Sequence, residues 1–107
     1  QGNQRSQLRE QLTQKIASAQ LTPEEKNAAF NEMEQLIKLE SSEAMLEMLI
    51  RSLGYPDALV RIDDQKIAVT VMSDEIVSTQ QANDIVYIVR TEMDDNVVVT
   101  VNTEPFN

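Results

Sequence analysis

The hydrophobic pattern of the chain changes its period at Gly54-Tyr55-Pro56, and this change restricts the possible fold more than any other feature. Before this segment, apolar residues recur every three or four positions, as they do on one face of a helix. After it, they alternate with polar residues, as in a strand with one buried face. Gly54 suits the left-handed conformation that ends a helix, and proline cannot continue one. The sequence therefore predicts a helical first half and a second half built around a sheet.

Two helices are predicted at the start of the chain. The first covers residues 4–19, and the second begins at Thr22, where Thr22-Pro23-Glu24-Glu25 combines an N-cap hydroxyl, a first-turn proline and a capping-box glutamate. They are expected to form an antiparallel hairpin that buries Leu12 and Ile16. The seam residues of the second helix are Ala29, Phe30, Met33, Leu36 and Ile37.

A third helix can be capped by Ser41-Ser42 and ends at Gly54. Its apolar positions are Met45, Leu46, Leu49, Ile50 and Leu53. The pattern leaves open whether this helix is separate from the second one.

The second half predicts the order strand, strand, helix, strand. Alternation indicates strands over residues 58–62 and 67–72, joined by Asp63-Asp64-Gln65 as an antiparallel hairpin, because Asp tolerates left-handed conformations. A helix from Ser78 or Thr79 carries an apolar face and ends at Asp94-Asp95-Asn96. Residues 97–101 are a β-branched run that predicts the last strand. The result is an α+β fold in which residues 1–40 form a helical extension and residues 41–107 an α-β-β-α-β domain.

The connection through the last helix is expected to be a right-handed crossover. It places the last strand parallel to the second strand, and it allows the last strand to lie beside the first.

Composition narrows the functions open to a chain of 107 residues. It has neither Cys nor His, which excludes thiolate nucleophiles, the usual zinc ligands and an imidazole acid or base. The net charge of −9 disfavours nucleic acids and anionic lipids as partners. Residues 55–107 hold ten of the eighteen acidic residues and three of the nine basic ones, so a basic partner would bind there.

The acidic pairs and serines do not form a recognisable active site. Asp63-Asp64 and Asp94-Asp95-Asn96 lack the spacing of a calcium loop and are interpreted as solvated turns. Glu24-Glu25 and the Glu32/Glu34 pair are expected on a polar helix face, where neither carboxyl is desolvated as acid–base catalysis requires. No serine has a histidine partner, and neither glycine belongs to a phosphate-binding loop. We therefore expect no catalytic residue, no cofactor and no metal ligand.

Two surfaces remain as candidates for protein association. Tyr87 and Ile88 lie off the apolar face of the last helix, and they form either an exposed patch or a wider core face. The last strand is apolar on both faces and has no Lys or Pro to protect an edge, so it is either central or pairs with a partner. The predicted partner-binding residues are Tyr87, Ile88, Val97, Val98, Val99, Thr100 and Val101.

Residues 49–60, with the sequence LIRSLGYPDALV, resemble the C-terminal region of the stage III sporulation protein AH family. The resemblance extends over nearly the whole chain, with matching pieces in the same order. These are Glu25-Lys26, Glu32-Met33, Lys66-Ile67, Val69-Thr70-Val71, Ser73-Asp74, the helix after Ser78 and Val98-Val99-Thr100-Val101. Each piece is short, and the likeness lies in their order, their spacing and the shared plan of elements.

The family resemblance implies a non-enzymatic structural subunit of an intercellular channel or anchoring complex between mother cell and forespore during endospore formation. It implies a sandwich with a three-stranded sheet, like the ring-building motif of secretion-system ring proteins. The implied partner is stage II sporulation protein Q, together with self-association into a ring. Such proteins carry an N-terminal transmembrane anchor, so a chain that starts at Gln1 is expected to be a fragment with the anchor upstream, located between the two membranes.

The residues alone also leave open an interaction domain of an unrelated complex. Such a scaffold or inhibitor would bind through the helical hairpin of residues 4–39.

Overall fold

Three helices and a three-stranded sheet form the part of the chain that the computed structural model describes, residues 2–105, with side chains from residue 4. In chain order the elements are α1 (Gly2–Ala17), α2 (Pro23–Arg51), β1 (Asp57–Asp63), β2 (Lys66–Met72), α3 (Thr79–Glu92) and β3 (Val98–Glu104). The α+β class and the order of elements after Gly54 are confirmed. The backbone forms two compact units, one ending at Glu40 and the other beginning at Ser41.

The predicted start of α2 is confirmed by its cap. The Glu25 amide donates to Thr22 Oγ1 at 3.2 Å, and the Thr22 amide donates to Glu25 Oε1 at 2.8 Å. This reciprocal pair satisfies two amides that a helix start would otherwise leave without partners. Proline at the next position costs nothing, because its missing amide would have had no intrahelical acceptor.

The apolar seam of the first unit is narrower than the sequence predicts. Leu12, Ala29 and Leu36 are buried, whereas Phe30 and Ile37 are 59% and 53% exposed. Since α1 carries one narrow apolar stripe, it covers one line of the α2 surface and leaves the neighbouring line open. The expectation that Phe30 and Ile37 belong to the buried seam is therefore wrong.

α2 is one uninterrupted helix, so of the two alternatives that the sequence left open, a separate third helix from Ser41-Ser42 is not the one that forms. A serine inside a helix is less favourable than alanine by only about 0.5 kcal/mol. No Gly or Pro follows Pro23 before Gly54, so nothing strong stops the helix earlier. It ends where predicted, because Gly54 has a φ of 116° and its amide donates to the Arg51 carbonyl at 2.9 Å.

The sheet has the strand order β1-β2-β3. β1 and β2 are antiparallel with Asp63 opposite Lys66, and Asp64 takes a left-handed φ of 55° in the turn, as the hairpin prediction requires. β3 is parallel to β2, which confirms the predicted direction. It lies beside β2 and not beside β1, however, so the alternative in which the last strand lies beside the first strand is wrong.

One face of the sheet is covered by helices and the other is open. The covered face and its helices supply the core of this unit, whose members are all 5% exposed or less: Leu46, Ile50, Ala58, Val60, Ile62, Ile67, Val69, Val71, Ile85 and Val89. α3 begins with a capping box in which Ser78 and Gln81 exchange two hydrogen bonds, as predicted for a start at Ser78. On the open face Leu59 and Val98 remain 42% and 56% exposed.

Candidate protein-binding edge

The three-stranded order leaves two strand edges, one on β1 and one on β3. An edge strand turns alternate backbone N–H and C=O groups away from its sheet, and an added strand can bind to them. Whether such an edge is available depends on what else those groups contact. The two edges of this sheet differ in this respect.

The β1 edge is occupied by carboxylates from α2. The Ile62 amide donates to Glu43 Oε2 at 2.7 Å, and the Val60 amide donates to Glu47 Oε2 at 2.9 Å. We call Glu43 and Glu47 the carboxylate clamp. Hydrogen bonds to a charged acceptor are each worth about 1.5–3 kcal/mol, roughly twice a neutral pair.

A third outward amide of β1 is satisfied nearby, since the Ala58 amide donates to Asp57 Oδ1 at 2.8 Å. Every second residue from Ala58 to Ile62 thus has a carboxylate acceptor for its outward N–H. This arrangement also explains why β3 does not lie beside β1. The edge that it would need is occupied.

Glu43 is the one charged residue in the core of the described chain, at 3% exposure. Besides the Ile62 amide, it has Arg61 Nη1 at 3.6 Å from its Oε1. A buried carboxylate is tolerated when hydrogen bonds and an opposite charge replace its hydration. Its burial therefore follows from its role as an acceptor for the sheet.

The β3 edge carries no such protection. The Val98 amide donates to the Gln65 carbonyl and the Ser73 amide to the Glu104 carbonyl, both at 2.8 Å, so the even-numbered residues of β3 face β2. The backbone groups of Val99, Val101 and Thr103 then point away from the sheet. Across residues 2–105 no group accepts a hydrogen bond from these three amides. We call these outward groups the β3 edge.

The predicted partner-binding residues fall into three environments. Val97 is 4% exposed and lies in the core just before β3. Val98 and Thr100 are exposed on the open face, while Val99 and Val101 are half-buried on the covered face and offer their outward backbone. The alternative that this run forms a central strand is wrong, because it forms an edge.

On α3 the two predicted residues differ from each other. Tyr87 is 72% exposed, whereas Ile88 is half-buried. α3 packs beside β3, so both residues belong to the element next to the open edge. The structure thus leaves one large aromatic side chain accessible on this helix.

Sequence reasoning missed Ile76, which at 87% is the most exposed large apolar side chain of the described residues. It lies in the link between β2 and α3, directly after Asp74 and Glu75. The neighbouring Val77 amide donates to Thr103 Oγ1 at 3.1 Å, which holds this link against the end of β3. No periodic signal marks a loop residue of this kind.

Sequence reasoning also missed the clamp, although a signal for Glu43 exists. Glu43 precedes Leu46 by three positions and Ile50 by seven, so it shares the buried face of α2. An acidic residue on an apolar helix stripe predicts a buried acceptor in need of a donor. Glu47 follows one turn later and reaches the same strand.

Other chemistry is sparse in the described residues. No group of three or more acidic side chains within residues 2–105 is placed to hold a metal ion. None of the helices described is long and apolar enough to cross a membrane. Burial raises the pKa of the Tyr55 hydroxyl above 10.0, and the negative charge of Asp84 raises it further.

The fold and the open edge define a small α+β module whose accessible groups suit association with another protein. The model of the family described as SpoIIIAH-like protein matches residues 2–101. Stage III sporulation protein AH of Bacillus subtilis (strain 168) is 39% identical over 101 residues, which make up 94% of this chain and 46% of that protein. The chain thus spans about half the length of this relative.

A solved structure gives the same result at the level of the fold. A chain in the structure of the SpoIIQ-SpoIIIAH pore forming complex matches with a TM-score of 0.79 and 38% identity, over 97% of this chain and 90% of that one. The chain belongs to the SpoIIIAH-like protein family, which is a sporulation family and not a known family of enzymes.

Proposed function

We propose that the chain is the partner-binding part of a structural subunit in a sporulation channel or anchoring complex, and that it binds stage II sporulation protein Q (SpoIIQ) at the β3 edge. The observation that carries this proposal is the set of outward amides on Val99, Val101 and Thr103, which no group of the described chain satisfies. Support for the partner comes from the matching solved structure, which is a complex with SpoIIQ.

The binding mode follows from the chemistry of the edge. An extended segment of the partner would accept hydrogen bonds from the outward amides, and flanking side chains would supply apolar contacts. Tyr87 and Ile88 on α3 are proposed as such contacts, because aromatic side chains concentrate binding energy at interfaces. Val98 and Thr100 would meet the partner from the open face.

The two compact units would have separate roles. Residues 41–107 form the partner-binding domain, and residues 1–40 form a helical extension. In the full protein an N-terminal anchor would hold this part in the space between the mother-cell and forespore membranes. The family resemblance supports this location.

Copies of the chain are further proposed to associate into a ring. Two different surface patches that meet head to tail close into a ring when the rotation between neighbours permits it. Membrane anchoring would raise the local concentration, so weak contacts suffice.

The test is sedimentation velocity of the chain with the soluble domain of SpoIIQ, comparing Val101→Pro with Val101→Ala. Both variants lose the valine side chain, but only proline removes the outward amide. No bond to β2 is lost in either, because this amide points away from the sheet. We expect a faster complex with the Ala variant and separate boundaries with the Pro variant. Equal binding by both variants would contradict the proposal that SpoIIQ binds at the β3 edge. Two separate boundaries for the unaltered chain would contradict the proposal that SpoIIQ is the partner.

The α3 contact is tested separately with Tyr87→Asp, while circular dichroism checks the fold. Weaker binding would support this face as part of the interface. Unchanged affinity would exclude Tyr87 from the interface and leave the β3 edge untouched.

A second function, scaffolding through the helical extension, is favoured by one observation. Phe30 and Ile37 are 59% and 53% exposed on the same side of α2, with the half-buried Met33 between them. Exposed apolar stripes of this kind bind partner helices. If Ile37→Glu abolishes binding to SpoIIQ while Val101→Pro does not, the extension is the contact surface.

A further inference from the structure

We infer that the carboxylate clamp restricts strand addition to one side of the sheet. Glu43 and Glu47 compete with any added strand for the outward amides of β1, so copies of the chain cannot join β1 to β3. This inference depends on the proposed function only for the identity of the partner that binds at the β3 edge. The closed state of the β1 edge and its test do not depend on it.

The spacing of the clamp matches the strand that it covers. Glu43 and Glu47 are one turn apart on α2, a rise of about 6 Å. Val60 and Ile62 are two residues apart on β1, a rise of about 6.8 Å. The pairing runs in opposite directions, since Glu43 accepts from Ile62 and Glu47 from Val60. A helix antiparallel to the edge strand can therefore satisfy every second amide with glutamates four positions apart.

The competitor is stronger than the strand that it excludes. An added strand would offer neutral carbonyl oxygens, whereas the clamp offers carboxylates, which form shorter and stronger hydrogen bonds. Displacing Glu43 would also leave its charge in the core, separated from the Ile62 amide. The β1 edge is closed both by occupancy and by the cost of vacating it.

Closing one edge determines what assemblies the sheet can form. If both edges were open, β1 of one copy could pair with β3 of the next, and repetition would give an open-ended fibre. With β1 closed, strand addition ends after one event at β3. Contacts that build a ring must then use surfaces other than the two sheet edges.

The test is the Glu47→Ala variant with Glu47→Gln as its matched control. Glutamine keeps an oxygen acceptor in the same place, while alanine removes it. Glu47 is half-buried, so its loss leaves the core intact. Amide hydrogen exchange at Val60 is the direct readout, and Val69 in the central strand reports any general loss of stability.

In the Ala variant we expect exchange at Val60 to rise about tenfold relative to Val69, and in the Gln variant to stay near the unaltered chain. Sedimentation velocity of a variant with both Glu43→Ala and Glu47→Ala, its fold checked by circular dichroism, should show self-association that Val101→Pro in the same chain abolishes. Unchanged exchange at Val60 in the Glu47→Ala variant, or no self-association of the folded double variant, would overturn the inference. SpoIIQ takes no part in either experiment, so failure here is separate from failure of the proposed function.

Discussion

Glu43 shows how one residue can serve both stability and assembly. It is buried at 3% exposure, accepts from the Ile62 amide and faces Arg61. A buried charge retained in a small core usually answers a specific need, because an apolar residue would pack there with less desolvation. Here the need is an acceptor for an amide that the sheet itself cannot satisfy.

Replacing Glu43 by Ala should lower the free energy of unfolding by about 1–3 kcal/mol, because the Ile62 amide loses its acceptor in a buried place. Glu43→Gln keeps an oxygen acceptor and should lose less. Urea denaturation followed by circular dichroism measures both. Equal losses for the two variants would mean that the charge, and not the hydrogen bond, matters at this position.

Tyr55 should make the fold less stable in alkali. Its pKa is raised above 10.0 by burial and by Asp84, so above that pH the folded chain holds more protons than the unfolded chain. The free energy of unfolding therefore falls as pH rises from 10.0 through the higher folded pKa, and the full contribution of Tyr55 is present only below this window.

The measurement is urea denaturation from about pH 8 to about pH 11, comparing the chain with Tyr55→Phe. The Phe variant should lose less stability across this range. Parallel losses would show that Tyr55 is as free to ionise as in an unfolded chain.

At the scale of elements, the sequence marks the start and the end of α2 clearly, but it also contains a cap-like signal in the middle of the helix. Ser41-Ser42 has the chemistry of a cap, but helical hydrogen bonds continue through it. A cap side chain ends a helix only where another feature, such as a Gly or a Pro, also favours a turn. Nothing between Pro23 and Gly54 supplies such a feature.

Ser41→Ala distinguishes an uninterrupted helix from a helix that begins at Ser41, because the two predict opposite signs for the change in the free energy of unfolding. In an uninterrupted helix the exposed alanine should raise the free energy of unfolding by about 0.5 kcal/mol, because of its higher helix propensity. Loss of a true N-cap would instead lower it by about 1 kcal/mol. Thermal unfolding decides between them, and Ser42→Ala, at a half-buried position, serves as the comparison.

Much of the fold could be predicted because local signals determined it. The caps at Thr22 and Ser78 and the left-handed residue at Asp64 rest on short-range chemistry that tertiary contacts did not change. The parallel direction of β3 followed from the crossover through α3. The caps and the turn depend on residues close together in the chain, and the direction of β3 follows from the general rule for crossover connections.

The features that were missed depend on contacts between distant residues. The strand order and the closed β1 edge rest on hydrogen bonds that the Ile62 amide donates to Glu43, nineteen positions away, and that the Val60 amide donates to Glu47, thirteen positions away. The exposure of Phe30 and Ile37 depends on how little surface α1 can cover. Of the predicted site, Val97 proved to be core, because a hydrophobic run does not state which of its members face inward.

At the scale of the whole molecule, charge limits how copies meet. The chain carries a net charge of −9, and most of the excess lies in residues 55–107, which include the β3 edge. Copies therefore repel each other at low salt, whereas the repulsion between the chain and a less acidic partner is weaker. This asymmetry favours association with a different protein over self-association.

Self-association of the chain should accordingly strengthen as salt rises from about 50 mM to about 500 mM, because screening at the higher value shortens the range of repulsion to a few ångström. Sedimentation equilibrium at both salt concentrations measures it. Weakening with salt would indicate that ion pairs across the interface outweigh the repulsion.

The parallel placement of β3 also has a consequence in time. The ribosome makes β1 and β2 before α3 and β3, and the 33 residues from Met72 to Glu104 take about 2–7 s to synthesise. During that interval the edge of β2 is bare, while β1 already has its glutamates from α2. The nascent chain therefore has one vulnerable strand, and β3 covers it only when it emerges. Once β3 has paired, β2 has a neighbouring strand on each side and no longer offers an edge.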